Sequence, residues 1–323
     1  MMKGSRATVL TFAEKCKTIL ASNWQGNLNT VKADAKGSKE EIYSSKVKYF
    51  VKKGRPYIWV PEGDLHNVNT VIDERGSLAV TSPLPGSLAS LLQSLKKPPN
   101  RVALIGEVVP LGDKKVKTAA ESLREAIISE GEAIKNFSYS VSGILRSSNF
   151  SSTSRGENLQ ELLDEDQQYM IYKFDISSIT YIEGKGSSHE VDLKDMEESK
   201  ADPLSLFSAS LIDGINQSEA RRRALMILCA TYLNKNVKDA VVVSIDRKGV
   251  DLLGKVVGPV MDDGSREYDW KELRLVLTEE AGDVETFCRR LVEMEERALK
   301  NVAEFSGLTS NPITTERPEL DIQ

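Results

Sequence analysis

The chain has 323 residues, 40% of them hydrophobic, which is enough apolar material for two domains of ordinary size. Its formal net charge of −5, spread over 43 basic and 48 acidic residues, excludes a general electrostatic grip on nucleic acid. No apolar run reaches the length of about eighteen residues that a membrane-crossing helix needs, and the widely separated Cys16, Cys229 and Cys288 argue against a disulfide framework or a zinc site and for a reducing compartment.

The stretch before Glu14, with Lys3 and Arg6 among small residues, reads as a frayed terminus or an appended scar ahead of the remnant of a transit peptide. Residues 12 to 24 carry helical spacing, with Phe12, Cys16, Ile19 and Leu20 on one face and an end near Asn23. Short segments of strand character follow: GNLNTV, YSSKVKYFV, PYIWV, GSLAVTS, RVALIGEVVPL and QYMIYKFDISSITYI. In the last, Met170, Tyr172, Phe174 and Ile176 share one face, and Ile171, Lys173 and Asp175 the other. Between strands, LHNVNTVIDE (65–74) reads as a short helix with Leu65, Val68, Val71 and Ile72 facing inward and His66, Asn67 and Asn69 pointing elsewhere. Residues 114 to 136 form a longer helix on Val116, Ala120, Leu123, Ile127 and Ile128, and the Ser-rich SVSGILRSSNFSSTSRGEN after it reads as a surface excursion.

The acidic run KDMEESKADPL, with Asp202 before Pro203, is read as a break. Beyond it come a helix from Gln217 to Leu233, a hairpin in AVVVSIDRKGVDLLGKVVG, a strand WKELRLVL and a helix from Asp283 to Ala303. Asn216 caps the first of these, answered by Glu219 as in a capping box. Gly249 is assigned a positive backbone angle at the hairpin turn. The tail after Phe305 has few apolar anchors and is expected to be disordered. The division is therefore 1–203, 204–303 and a tail, 304–323.

Only two histidines exist, so any imidazole ligand or base is His66 or His189. His189 follows a strand in YIEGKGSSHEV, where Gly184 and Gly186 leave room for a ligand near the backbone; the plainer reading is a solvated histidine in a hairpin. For His66 the plainer reading is a helix-surface or hydrogen-bonding residue. GKG lacks the third glycine of a dinucleotide loop, and neither a phosphate loop nor a nucleophile elbow is present. The carboxylates of LLDEDQ and MDDG read as solvated surface. Arg221, Arg222 and Arg223 project about 100° apart on a helix, so they cannot share one small anion, and they suit partner contacts, salt bridges or a solvated face.

CKTILASNWQGNLNTV, GRPYIWVPEGDLHNVNTVIDERGSLAV and RVALIGEVVPL resemble the split-barrel domain of the flavin-binding superfamily that includes pyridoxamine phosphate oxidases and haem-utilisation oxygenases. YKFDISSITYIEGKGSSHEV resembles the last barrel strand and glycine hairpin of the haem branch, and residues 204 to 301 its appended small α/β domain. Many members of that branch open the appended domain with His-Met-Asn-x-Asp-His; the corresponding positions here are Gly214, Ile215, Asn216, Gln217, Ser218 and Glu219, without either histidine. With its Ser-rich insert and acidic linker, the chain looks most like the plant proteins that bind glutamyl-tRNA reductase.

That resemblance implies an α+β fold, a split β-barrel followed by a small α/β domain, and a non-catalytic regulator of chlorophyll and haem biosynthesis in the chloroplast stroma, with glutamyl-tRNA reductase as partner. A homodimer is expected because PYIWV and RVALIGEVV are too apolar to lie exposed. Arg221, Arg222 and Arg223 are the candidate docking residues. The alternative is a haem-binding or haem-degrading protein with His66 or His189 on the iron. An FMN-dependent oxidoreductase is weaker, since Lys46, Lys48, Lys52, Lys53 and Arg55 form no spaced phosphate pattern.

Overall fold

The computed structural model describes residues 8–33, 41–145, 155–163, 168–260 and 266–305. The first helix, α1 (Phe12–Ser22), starts at a capping box in which the Thr11 hydroxyl accepts from the Glu14 N–H and the Glu14 carboxylate accepts from the Thr11 N–H. Its Cys16, Ile19 and Leu20 are buried, as their spacing predicts.

Six strands make an antiparallel barrel: β1 (Gln25–Val31), β2 (Ile42–Lys52), β3 (Arg55–Pro61), β4 (Arg75–Thr81), β5 (Arg101–Pro110) and β6 (Tyr169–Ile182). Their order is β3-β2-β1-β4-β5-β6, closed by pairing of β3 with β6; β7 (Ser188–Glu190) continues the sheet on β6. Leu28, Tyr49, Ile58, Val60, Leu104 and Phe174 fill the interior. The predicted alternation holds for Tyr172 and Phe174, but a bulge opposite Ile105 and Gly106 shifts the register. After it Ile179 and Tyr181 are the buried pair. Met170 lies half-exposed, and Ile171 is buried on the outer face.

That outer face is covered by α4 (Asp113–Leu145) and α5 (Arg155–Gln160), whose Leu123 and Leu159 pack with Leu162 on Trp59 and Ile171. PYIWV is thus buried on both faces within one chain, and of RVALIGEVV the residues Val102, Leu104 and Val108 are core while Ile105 is exposed. The apolarity of these strands is therefore satisfied without a second copy and no longer argues for pairing. Both ends of the Ser-rich segment are helical: α4 continues through SVSGIL, and in α5 the buried Arg155 donates to the Asn23 carbonyl at 2.7 Å and pairs with Glu130. Residues 146–154, and the tail expected to be disordered, lie outside the described residues apart from 304 and 305.

The helix α2 (Leu65–Ile72) reverses its expected orientation. His66, Asn69 and Thr70 are buried, while Leu65, Val68, Val71 and Ile72 are 53%, 58%, 82% and 72% exposed. The physical reason is a polar barrel mouth: Thr30, Ser45 and the Tyr172 hydroxyl bond the polar face of the helix and hold it inward.

The remaining chain builds a three-stranded antiparallel sheet, β10-β9-β8. After α3 (Gly86–Ser94) in the first half and α6 (Leu193–Glu198), these elements are α7 (Ser208–Gln217), α8 (Glu219–Leu233), β8 (Val237–Asp246), β9 (Gly249–Val260), β10 (Arg266–Val276) and α9 (Val284–Phe305). Leu211, Leu228, Leu252, Phe287 and Leu291 form their core together with Leu88 and Leu92 of α3. The acidic run is not an open linker, because Met196 of α6 is in the barrel core and Asp202 is buried, accepting from the N–H groups of Leu204 and Arg247. Two expectations are corrected here. Ser218, not Asn216, caps α8; Asn216 lies in the last turn of α7, and its amide accepts from the Val242 N–H (2.8 Å) and donates to the Val242 carbonyl (2.9 Å). Gly249 has no positive φ; a Cβ there would lie 2.2 Å from the Leu275 carbonyl oxygen, so strand approach demands the glycine.

Candidate functional site

His66 is fully buried, with both ring nitrogens engaged: Nδ1 is 2.8 Å from the Thr30 hydroxyl and Nε2 3.0 Å from that of Ser45. With Ser45 donating towards Asp64, 3.5 Å away, the matching tautomer carries its proton on Nε2, bonded to Ser45, and accepts from Thr30 at Nδ1. Burial lowers the imidazole below its ordinary value of 6.5, with Asp64 pulling the other way. Thr30, Ser45, Asp64 and Asn69 thus make His66 a strut of the barrel mouth, and no nitrogen is left for an iron.

His189 pairs with Tyr181 across β6 and β7 and stacks on Phe12 at 4.0 Å. Its Nε2 is shielded from solvent, has no hydrogen-bond partner among the described residues, and lies 3.9 Å from the Glu183 carboxylate. The neighbouring glycines serve the chain rather than a ligand. Gly184 fits against the Pro98 carbonyl, where a Cβ would approach to 2.1 Å, and Gly186 turns at φ +94°. Haem ligation needs a nitrogen facing open space; His66 presents none and does not fit an axial ligand, while in His189, whose side chain is about one-third exposed, it is Nε2 that is shielded.

The three arginines are dispersed, as their angular spacing requires, and each finds an acid in this chain. Arg221 pairs with Glu295, Arg222 with Asp239, and Arg223 with Glu219 at 2.5 Å on the same helix. The first pair is largely buried and only Arg223 is well exposed. Of the basic residues weighed for a flavin phosphate, Lys48 pairs with Glu161, Arg55 with Asp175, and Lys52 donates to the Thr118 carbonyl. Cys16, Cys229 and Cys288 are buried thiols pushed up to about 12, 11 and 12 by burial, which leaves none of them a ready nucleophile.

What the sequence did not bring together is a cleft between the barrel and the C-terminal sheet. Cavities of about 420 and 150 Å³ adjoin there and share Lys15, Ser82, Asn100, Tyr181, Ser244, Asp251 and Arg274 in their walls. Arg274 donates to both oxygens of Asp246 (2.9 Å each) and to Asp251 (2.8 Å). Burial raises the Asp251 carboxyl and Arg274 opposes the rise. Lys15 lies over the rings of Phe12 and Tyr181, at 5.3 and 5.5 Å. The one signal of this site in the sequence is a charge set inside apolar strands, as in GVDLLGKVV and ELRLVL. A wider groove of about 890 Å³ lies beyond Phe12, open and lined by Glu190, Asp192, Asp195 and Glu198.

A heme-binding protein from Mycobacterium smegmatis is similar to this chain over 90% of its length and 99% of that protein's, with a TM-score of 0.53 at 18% identity. The chain has the split-barrel fold. Campylobacter jejuni ChuZ matches 58% of this chain and 63% of its own at TM-score 0.35 and 12% identity. A Clostridium acetobutylicum protein of the pyridoxinephosphate oxidase family, related to general stress protein 26, matches 57% and 96% at 0.33 and 10%. No protein-family model matches the sequence, and no curated protein does.

Proposed function

We propose that this split-barrel chain is a non-catalytic regulatory protein of tetrapyrrole biosynthesis in the chloroplast stroma, which docks glutamyl-tRNA reductase through α2. The observation that carries the docking is the outward face of that helix: Leu65, Val68, Val71 and Ile72 are exposed together on an element with no charged residue. Exposed Glu62 and Glu74 stand at its two ends, so the face suits an apolar patch with basic residues at its edge. The choice of partner rests on the resemblance of the sequence to the plant reductase-binding proteins. Arg221 and Arg222 move out of the candidate interface, since each is held by an acid of its own chain.

The competing reading is haem binding or haem cleavage, as the Mycobacterium smegmatis protein of this fold is named for binding heme. Against it stand the hydrogen bonds on both nitrogens of His66 and, at His189, the stacking on Phe12 and the shielding of Nε2. The test is calorimetric titration of the full chain into recombinant glutamyl-tRNA reductase, beside a Val68→Glu/Val71→Glu variant. Two fully buried valines contribute about 1.5 to 3 kcal/mol each, so the variant is expected to bind at least about tenfold more weakly. Absence of binding by the unaltered chain overturns the reading. A homodimer presents the face twice; if α2 is instead the dimer contact, light scattering shows the variant dissociating.

A further inference from the structure

Several cations of the cleft are paired with acids of its walls, and Glu183 in the same wall has His189 beside it, at 3.9 Å. Arg274 is held by Asp246 and Asp251, and Lys97 and Lys185 both pair with Glu272, at 2.6 and 2.5 Å. The Lys15 ammonium makes no hydrogen bond or salt bridge among the described residues; it lies over the two aromatic rings and within electrostatic reach of the Asp251 carboxylate. The hydroxyls of Ser82 and Ser244, in the same walls, also make no hydrogen bond among the described residues, although the Ser82 N–H is bonded to the Asn100 carbonyl. Three side chains able to donate, one ammonium and two hydroxyls, therefore line both cavities. The walls of the larger cavity, which the smaller one shares only in part, also carry Leu84, Leu92, Pro98, Pro99 and Leu273. A single positive charge with two hydroxyls, next to an aliphatic wall, is complementary to one negative head on an apolar body.

We propose that this cleft binds a small amphipathic carboxylate, its head on Lys15, Ser82 and Ser244 and its aliphatic body against Leu84, Leu92 and Pro98. A carboxylate is favoured over a phosphate because Asp251 stands at the same junction, and a doubly charged head would face that carboxylate with one lysine to offset it. Lys15 and Ser82 belong to the first half of the chain and Ser244 to β8, so the ligand bridges barrel and C-terminal sheet and stabilises their contact. This site is separate from α2 and does not depend on the docking reading.

Octanoate serves as the probe, titrated into the full-length chain by calorimetry and followed by thermal melting. The expected result is one site per chain, a rise in melting temperature with octanoate, and at least about tenfold weaker binding in Lys15→Met. Ser82→Ala, which leaves the rings of Phe12 and Tyr181 next to Lys15 untouched, is expected to weaken binding about threefold or more with an unchanged melting temperature in the absence of octanoate. The Val68→Glu/Val71→Glu variant is expected to bind octanoate like the unaltered chain, which separates this site from the docking face. Octanol binding as well as octanoate overturns the head assignment, octyl phosphate binding more tightly than octanoate overturns the carboxylate, and no binding of octanoate overturns the site.

Discussion

Replacing Asn216 with alanine tests how the C-terminal sheet is held. β8 is an edge strand, and the Asn216 amide pairs with the N–H and carbonyl of Val242 as a neighbouring strand would. Val242 itself is fully buried, so the substitution leaves one donor and one acceptor without partners. Each such group costs about 1 to 3 kcal/mol, and because Asn216 is only half-buried water relieves part of this. The net loss is expected to be about 2 to 3 kcal/mol, or roughly 4 to 10 °C in melting temperature. Gln217→Ala, next in sequence and bonded only to Asp213 on the helix surface, is the control and is expected to stay within about 0.5 kcal/mol. Thermal and urea melts give the stability, and hydrogen exchange reads the Val242 amide directly. An Asn216→Ala melt within about 1 °C of the unaltered chain, with the Val242 amide still protected, refutes the latch.

Burial holds the His66 imidazole below 6.5, so the unfolded chain binds the extra proton first; the contribution is complete above about pH 6.5 and is lost as pH falls through the folded value. Melts from pH 7 to pH 5 are expected to show the unaltered chain losing more stability than His66→Gln, and parallel profiles would contradict the burial. Arg221→Ala strands Glu295 in a largely buried site and is expected to cost about 3 kcal/mol, whereas Arg223→Ala stays within about 0.5 kcal/mol; equal urea midpoints would remove the distinction. A Gly249→Ala side chain meets the Leu275 carbonyl oxygen at 2.2 Å, so β9 and β10 must part, at a cost of about 1 to 3 kcal/mol; an unshifted melt would show that the strands yield freely.

Much of the barrel was legible because its strands alternate and its helices repeat at helical spacing, and both patterns are local. Which face of α2 turns inward was not, because the decision belongs to Thr30, Ser45 and Tyr172, distant in sequence and brought to one mouth only by closure of the barrel. The cap of α8 was misplaced by two residues for a similar reason. Asn216 and Ser218 are equally able caps, and α7, interrupted in sequence by Asp213 and Gly214, hides the fact that Asn216 already belongs to a helix. The two histidines drew attention as the scarcest chemistry-bearing residues, yet each is bonded or stacked within the chain. The cleft was invisible because Lys15, Ser82, Ser244 and Arg274 come from four segments, and only the charges inside the strands of Asp251 and Arg274 hinted at a polar site in an apolar layer.

The most direct measurement of the central claim is hydrogen–deuterium exchange of the chain alone and with saturating glutamyl-tRNA reductase. The account predicts that protection appears at Leu65–Ile72 and the adjoining Asp73–Arg75, and that α8, with Arg221 to Arg223, is unchanged. Protection confined to α8, or no protection anywhere with reductase present, would contradict it.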